Sequence, residues 1–142
     1  MADHHWAPEC AEDELLVAMV TVKRAFHARS IGVDPGAFPV LHHLAAHGPV
    51  RQTALADALG LDASTVSRHV RGLAAEGHVA VGRDPDDGRA TLLSLTPSGR
   101  QYLEQRMRAH RSALQAATAE FDPTERAELV RLLHKLADAL SH

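Results

Sequence analysis

Between Leu55 and Leu73 the chain reads Leu55-Ala56-x-x-Leu59-Gly60-Leu61-x-x-Ser64-Thr65-Val66-Ser67-x-x-Val70-x-x-Leu73, and few folds accommodate that order. Ala56 is small where two helices must cross closely, and Gly60 permits a tight turn between them. Val66, Val70 and Leu73 recur at helical spacing and bury the inner face of the second helix. With that face fixed, Ser64, Thr65, Ser67, Arg68 and Arg71 must project outward, short hydroxyls near the helix N-terminus and guanidinium groups further along. A helix N-terminus favours phosphate, hydroxyls bond phosphates or base edges, and arginine pairs bidentately with guanine in the major groove. The plain alternative is an amphipathic surface helix with a polar wet side. That alternative leaves the turn, and the hairpin that follows it, as coincidences.

The punctuation around this segment predicts mostly helix. Leu15, Met19, Val22 and Phe26 form the seam of a first helix ending near Gly32. Asp34 and Pro35 supply a cap and a first-turn proline for a second helix, with Phe38, Leu41, Leu44 and Ala45 inward and Gly48-Pro49 as its stop. Residues 52–59 make a short third helix closed by Gly60, and Asp62 caps a fourth that runs to about Glu76. Val79 to Arg83 and Ala90 to Leu95 are strand-like runs on either side of Asp84-Pro85-Asp86-Asp87-Gly88, which suits the turn of a β-hairpin. Thr96-Pro97 starts a long helix to about Ala119 with Leu103, Met107, His110 and Leu114 as its seam. Asp122-Pro123-Thr124-Glu125 then opens a last helix with Leu129, Leu132, Leu133, Leu136 and Leu140 inward. The expected fold is mainly α with a small β-hairpin. It is a winged helix-turn-helix flanked by N- and C-terminal dimerisation helices.

At 142 residues the chain is the size of one domain. We divide it into a winged part at 33–96 and a helical dimerisation part at 11–32 and 97–142. The terminal seams have nothing else in so small a chain to bury against, so a two-fold homodimer is expected. No apolar run approaches the roughly 18 residues of a membrane span. The start MADHHWAPECAEDE lacks the features of a secretory signal, which makes the cytoplasm the expected compartment. A formal net charge of −3, with eleven histidines, is not that of a strongly cationic nucleic-acid binder.

From Leu55 to Gly99 the sequence resembles the MarR (multiple antibiotic resistance regulator) family, through LADALGLDASTVSRHVRGL, the EGHV before the first wing strand, DPDDGRA at the wing tip and LTPSG after the second strand. The resemblance implies a transcription regulator whose recognition helices enter successive major grooves of a palindrome in double-stranded DNA, with no cofactor and no enzymatic activity. It also implies that Arg89 is a wing arginine reaching the minor groove, held in place by Asp87. An arginine in a narrow minor groove meets enhanced negative potential. The residues expected at DNA are thus Arg51, Gln52, Ser64, Thr65, Ser67, Arg68, Arg71, Arg83, Asp87 and Arg89. His78, Val81, Gly82 and Gly88 depart from the family pattern and leave the wing less cationic, and Arg51 stands where a capping Thr or Ser is common.

Other signals are weaker. Cys10 reads as a peroxide-sensing thiol or as a small residue near a terminus, and its neighbours Glu9, Glu12, Asp13 and Glu14 are acidic, the opposite of the cationic setting that activates a thiol. His43 and His47 have the spacing of two metal ligands on one helix, with His42 and His110 as further candidates; the alternative is polar surface. Trp6, Phe26 and Phe38, with Arg24 or His27, can line a pocket for a small aromatic or anionic effector, or can simply be core. No phosphate loop, nucleophile motif or paired carboxylates suggest an enzyme. The rival functions are a winged-helix protein–protein interaction module and a zinc-responsive regulator.

Overall fold

The computed structural model describes residues 7–29 and 36–141. Its elements run α1 (Ala11–Arg29), α2 (Ala37–His47), β1 (Val50–Arg51), α3 (Gln52–Leu59), α4 (Ala63–Ala75), β2 (Val79–Arg83), β3 (Thr91–Leu95), α5 (Pro97–Ala117) and α6 (Pro123–Leu140). The expected hairpin is present: β2 and β3 pair antiparallel from Val79 opposite Leu95 to Arg83 opposite Thr91. A strand absent from the sequence reading joins it. Val50 and Arg51 pair with Leu93 and Leu92, giving a three-stranded sheet in the order β1-β3-β2.

Local chemistry accounts for most element ends. Gly60 adopts the left-handed conformation, φ 63°, and its N–H and that of Leu61 close on the last carbonyls of α3. Thr96 caps α5 by accepting the Gly99 N–H at 2.9 Å. Asp122 and Glu125 form the expected capping box, each carboxylate accepting the other residue's backbone N–H at 2.9 Å. The start of α2 corrects the sequence reading. Gly36 occupies the cap position and the helix begins at Ala37, while Gly32, Asp34 and Pro35 lie outside the described residues. Beginning at Ala37 puts Pro39 in the first turn, where a missing N–H breaks no helical bond; a start at Pro35 would place it deeper and remove one.

The core lies where α2 crosses α3, α4 and β3. Val40, Leu41 and Leu44 of α2 are fully enclosed with Leu55, Val66 and Leu93, and Val70, Leu73, Val79 and Leu103 complete the cluster. Burial of each such side chain contributes about 1.5–3 kcal/mol. The terminal helices differ. Leu15, Met19 and Val22 on α1, and Leu129, Leu132, Leu133 and Leu140 on α6, remain exposed in the single chain, Val22 and Leu133 each to 55%.

A close approach ties α5 to the hairpin. A Cβ added at Gly99 would run into the backbone carbonyl of His78, whereas one added at Gly72, inside α4, meets nothing within 4 Å. Gly99→Ala should therefore lose about 1–3 kcal/mol of unfolding free energy. Gly72→Ala should gain roughly 0.5–1 kcal/mol from helix propensity. Urea denaturation of both variants checks the contrast, and an unperturbed Gly99→Ala would contradict the contact.

Candidate nucleic-acid interface

The outer edge of α4 follows from what its inner face buries. Val66, Val70 and Leu73 are buried, so Ser64, Arg68 and Arg71 are exposed and Thr65 and Ser67 half-buried. Asp62 organises the N-terminal end: its carboxylate accepts the Thr65 N–H at 2.8 Å, the Thr65 hydroxyl at 2.8 Å and the Ser64 hydroxyl. Those three bonds, the Ser64 hydroxyl foremost, hold the Asp62 carboxyl far below the ordinary carboxylate range. Both hydroxyl hydrogens are thereby committed to Asp62, and the oxygens turn lone pairs outward. A hydroxyl oxygen in that state can accept from a base amino group, whereas donation to a phosphate requires release from Asp62. Gln52 is half-buried at the start of α3.

Arg83, Asp87 and Arg89 are all exposed, at the end of β2 and in the loop that follows. The loop is held from inside. The Asp84 N–H donates to the Ala90 carbonyl at 3.0 Å, and the Ala90 N–H to the Asp87 carbonyl at 2.9 Å. Asp87 meets Arg89 at the backbone rather than at the guanidinium: its carboxylate accepts the Arg89 N–H at 3.1 Å. Among the described residues no ion pair joins the two side chains. Arg51 is turned onto the wing rather than standing free, its Nε donating to Asp84 Oδ2 at 2.5 Å. Asp84 is a buried carboxylate that sequence reasoning passed over as a turn former. The Asp86 N–H and Arg51 hold its pKa below the ordinary value, and Asp84 raises that of Arg51 in return. With the two 33 positions apart in sequence, no local pattern reveals the pair.

A helix with a buried apolar stripe and an open Ser/Thr/Arg edge, followed by a hairpin with arginines at its end, matches known proteins in both sequence and structure. The sequence model of the MarR family matches residues 31–90. A probable transcriptional regulator from Pseudomonas aeruginosa, known from its crystal structure, is 31% identical with a TM-score of 0.76, over 90% of this chain and 97% of that one. The chain belongs to the MarR family. The Bordetella bronchiseptica BpsR structure, described as showing how 6-hydroxynicotinic acid regulates DNA binding, is 27% identical with a TM-score of 0.77, over 96% of this chain and 99% of that one. The transcriptional repressor NicR of Pseudomonas putida is 30% identical over 102 residues, 72% of this chain and 65% of its own length. This MarR-family chain is a DNA-binding transcription regulator and not an enzyme.

The remaining candidate residues of this MarR-family chain lie apart from one another. His43 and His47 stack with ring centroids 4.3 Å apart. Burial first, then His47 and His42, lower the pKa of His43. His42 instead lies over the Phe38 ring, and His110 meets Phe38 and Phe26 edge-on at 5.1 and 6.2 Å. Among the described residues no three His, Cys, Asp or Glu side chains gather as metal ligands. Cys10 is exposed just before α1. Phe26 and Phe38 line a cavity of about 550 Å³ with Met107, His110 and Leu114, but the cations at it are Arg111 and Arg126. Arg24 and His27 line a separate one, and Trp6 lies outside the described residues. Arg111 and Arg126 carry no local sequence signal that relates them to Phe26 and Phe38. Among the described residues no helix is long and apolar enough to cross a membrane.

The depressed Asp62 pKa sets a pH dependence. A carboxyl whose folded pKa lies below its unfolded value near 3.9 stabilises the fold above about pH 4, and that stability is lost as pH falls through the folded value. Asp62→Ala should thus be less stable than wild type at neutral pH and lose less stability between about pH 5 and pH 3. Asp62→Asn, which still caps the helix, should be closer to wild type at neutral pH. Denaturant unfolding at several pH values measures both. Parallel profiles for wild type and Asp62→Ala would remove the cap from the account.

Proposed function

We propose that this chain is a ligand-responsive repressor that acts in the cytoplasm and binds a palindromic operator as a homodimer. One observation carries the reading: α4 buries Val66, Val70 and Leu73 and leaves Ser64, Arg68 and Arg71 open, ahead of a hairpin that exposes Arg83 at the end of β2 and Arg89 in its loop. Gln52, Ser64, Thr65, Ser67, Arg68 and Arg71 meet the major groove and its phosphates, and Arg83 and Arg89 work from the wing, with Asp87 fixing the Arg89 backbone. Residues 33–96 form the reading part. Residues 11–32 and 97–142 form the dimerising part, since the exposed leucine seams of α1 and α6 call for a cover that a second copy supplies. Such an interface should exceed about 2,000 Å². The effector is a small aromatic anion held between Phe26, Phe38 and Leu114, with Arg111 and Arg126 as its counter-charges. The regulation of the related BpsR by 6-hydroxynicotinic acid supports that class, and the relative NicR, a repressor, supports the direction of control.

Band shift on duplexes from the chain's own upstream region, with and without aromatic carboxylates, tests the reading. The wild type should shift a palindrome and be released by an aromatic carboxylate, and Arg111→Ala should bind DNA yet resist release. Arg68→Ala should cost about 1–3 kcal/mol on the palindrome and much less on a scrambled duplex. Arg89→Ala should weaken both, most where A·T-rich flanks narrow the minor groove. Sedimentation should give a dimer at micromolar concentration. A monomer would overturn the dimeric reading, and no shift on any duplex would favour a protein–protein module.

A further inference from the structure

We propose that Arg51 is a positioning residue for the wing and not a phosphate contact, an inference that rests on the wing's reaching DNA. Arg51 stands at a junction of three elements. It ends β1, pairs with Leu92 of β3, and is the extended residue (φ −66°, ψ 141°) that precedes α3. Its side chain makes no capping bond to α3, although small hydroxyl and amide side chains at that position normally do. It runs instead to Asp84, the first residue after β2, across 33 residues of sequence. Asp84 is only 7% exposed, and its other oxygen accepts the Asp86 N–H at 2.8 Å. One carboxylate therefore receives the entry of the helix-turn-helix on one oxygen and the start of the wing loop on the other.

A buried carboxylate needs both kinds of partner. Without the guanidinium, Asp84 keeps its charge in a site with little water and one fewer donor, and the loop must open to hydrate it. The loop that would open is the one that sets the direction of Arg89, through the Asp87 carboxylate on the Arg89 N–H and the Ala90–Asp87 and Asp84–Ala90 backbone bonds. Arg51 thus fixes wing geometry from the helix-turn-helix side, at a charge-assisted bond stronger than a neutral one. The bond commits Nε alone on a side chain that is 47% exposed, so the test must separate positioning from a phosphate contact through the Nη groups.

The test uses full-length Arg51→Ala, Arg51→Lys and Asp84→Asn, alone and combined with Arg89→Ala. Amide hydrogen exchange is read without DNA, and affinity is read on a fixed palindromic duplex at two salt concentrations. A positioning role predicts faster exchange at residues 84–90 with α4 unchanged. It predicts roughly three- to tenfold weaker binding for all three variants, and little further loss when Arg89 is already alanine. Arg51→Lys is informative, since lysine keeps the charge for a phosphate but not the planar Nε donor. A phosphate contact predicts unchanged wing exchange, wild-type-like binding by Arg51→Lys, tighter binding by Asp84→Asn and losses additive with Arg89→Ala. That set of results would overturn the proposal. Should Arg89→Ala bind like wild type, the wing contact itself fails, and the exchange data alone decide whether Arg51 holds the loop. The two Arg51 variants, altered at a half-exposed side chain, carry the test if Asp84→Asn does not fold.

Discussion

Val40, Leu41 and Leu44 press one face of α2 onto Leu55 of α3, Val66 of α4 and Leu93 of the central strand, all six fully enclosed. Because the cluster draws on three helices and the sheet at once, each element is fixed against the others by the same contacts. Truncating one such leucine to alanine typically costs about 2–5 kcal/mol. The outward direction of Ser64, Arg68 and Arg71 is the complement of this packing. Had α4 rotated by one residue, Ser67 and Arg71 would take the places of Val66 and Val70 in the core, so the outward edge is as firmly set as the core is.

A second joint connects this unit to α5. The Thr96 hydroxyl donates to the Gly77 carbonyl at 2.6 Å, the Thr96 N–H to the His78 carbonyl at 3.2 Å, and Gly99 lies against that same carbonyl. The His78 ring adds a stack on Tyr102 of α5 at 4.3 Å. The end of α4, the root of the wing and the first turns of α5 therefore form one hydrogen-bonded block. Further along α5, His110 meets Phe26 of α1 and Phe38 of α2 beside the cavity. A group placed between those aromatics bears on α5 and α1 together, and a helix rigidly joined to the reading unit passes a tilt on to α4. This is a route for coupling in the sense of two arrangements of packed elements with different ligand affinity.

What could be read from the sequence was whatever a few neighbouring residues decide. The bounds of α3, the Asp62 cap, the Thr96-Pro97 start and the Asp122–Glu125 box depend on side chains within four residues of the backbone they bond, and all appear as expected. The start of α2 was misread because Asp34-Pro35 is also a good local signal, and only the placement of Pro39 inside the helix decides between the two. Strand β1 is two residues long and exists because Leu92 and Leu93 offer it an edge. Arg51 stands among the residues expected at DNA, and nothing near it in sequence points to Asp84. The cavity shows the same division: Phe26 and Phe38 were legible as aromatics near a helix junction, but Arg111 and Arg126 come to it only when α5 and α6 fold back.

The charge balance of the reading surface bears on selectivity. Around the wing, Arg51, Arg83 and Arg89 stand against Asp84, Asp86 and Asp87, three charges of each sign. Asp84 is turned inward onto Arg51 and the Asp86 N–H, and Asp87 accepts from the Arg89 backbone, so two of the three carboxylates serve the loop's own shape. The wing is nearly neutral as a whole while a single guanidinium stays exposed at its tip. Non-specific affinity for DNA is almost wholly electrostatic and falls with each phosphate contact given up, whereas base-edge bonds do not depend on net charge in that way. If the wing meets DNA as proposed, its neutrality lowers binding to random DNA more than binding to a matched site. On the proposed reading, a protein of net charge −3 gives up long-range attraction, and the geometry of α4 and the orientation of one arginine carry the difference.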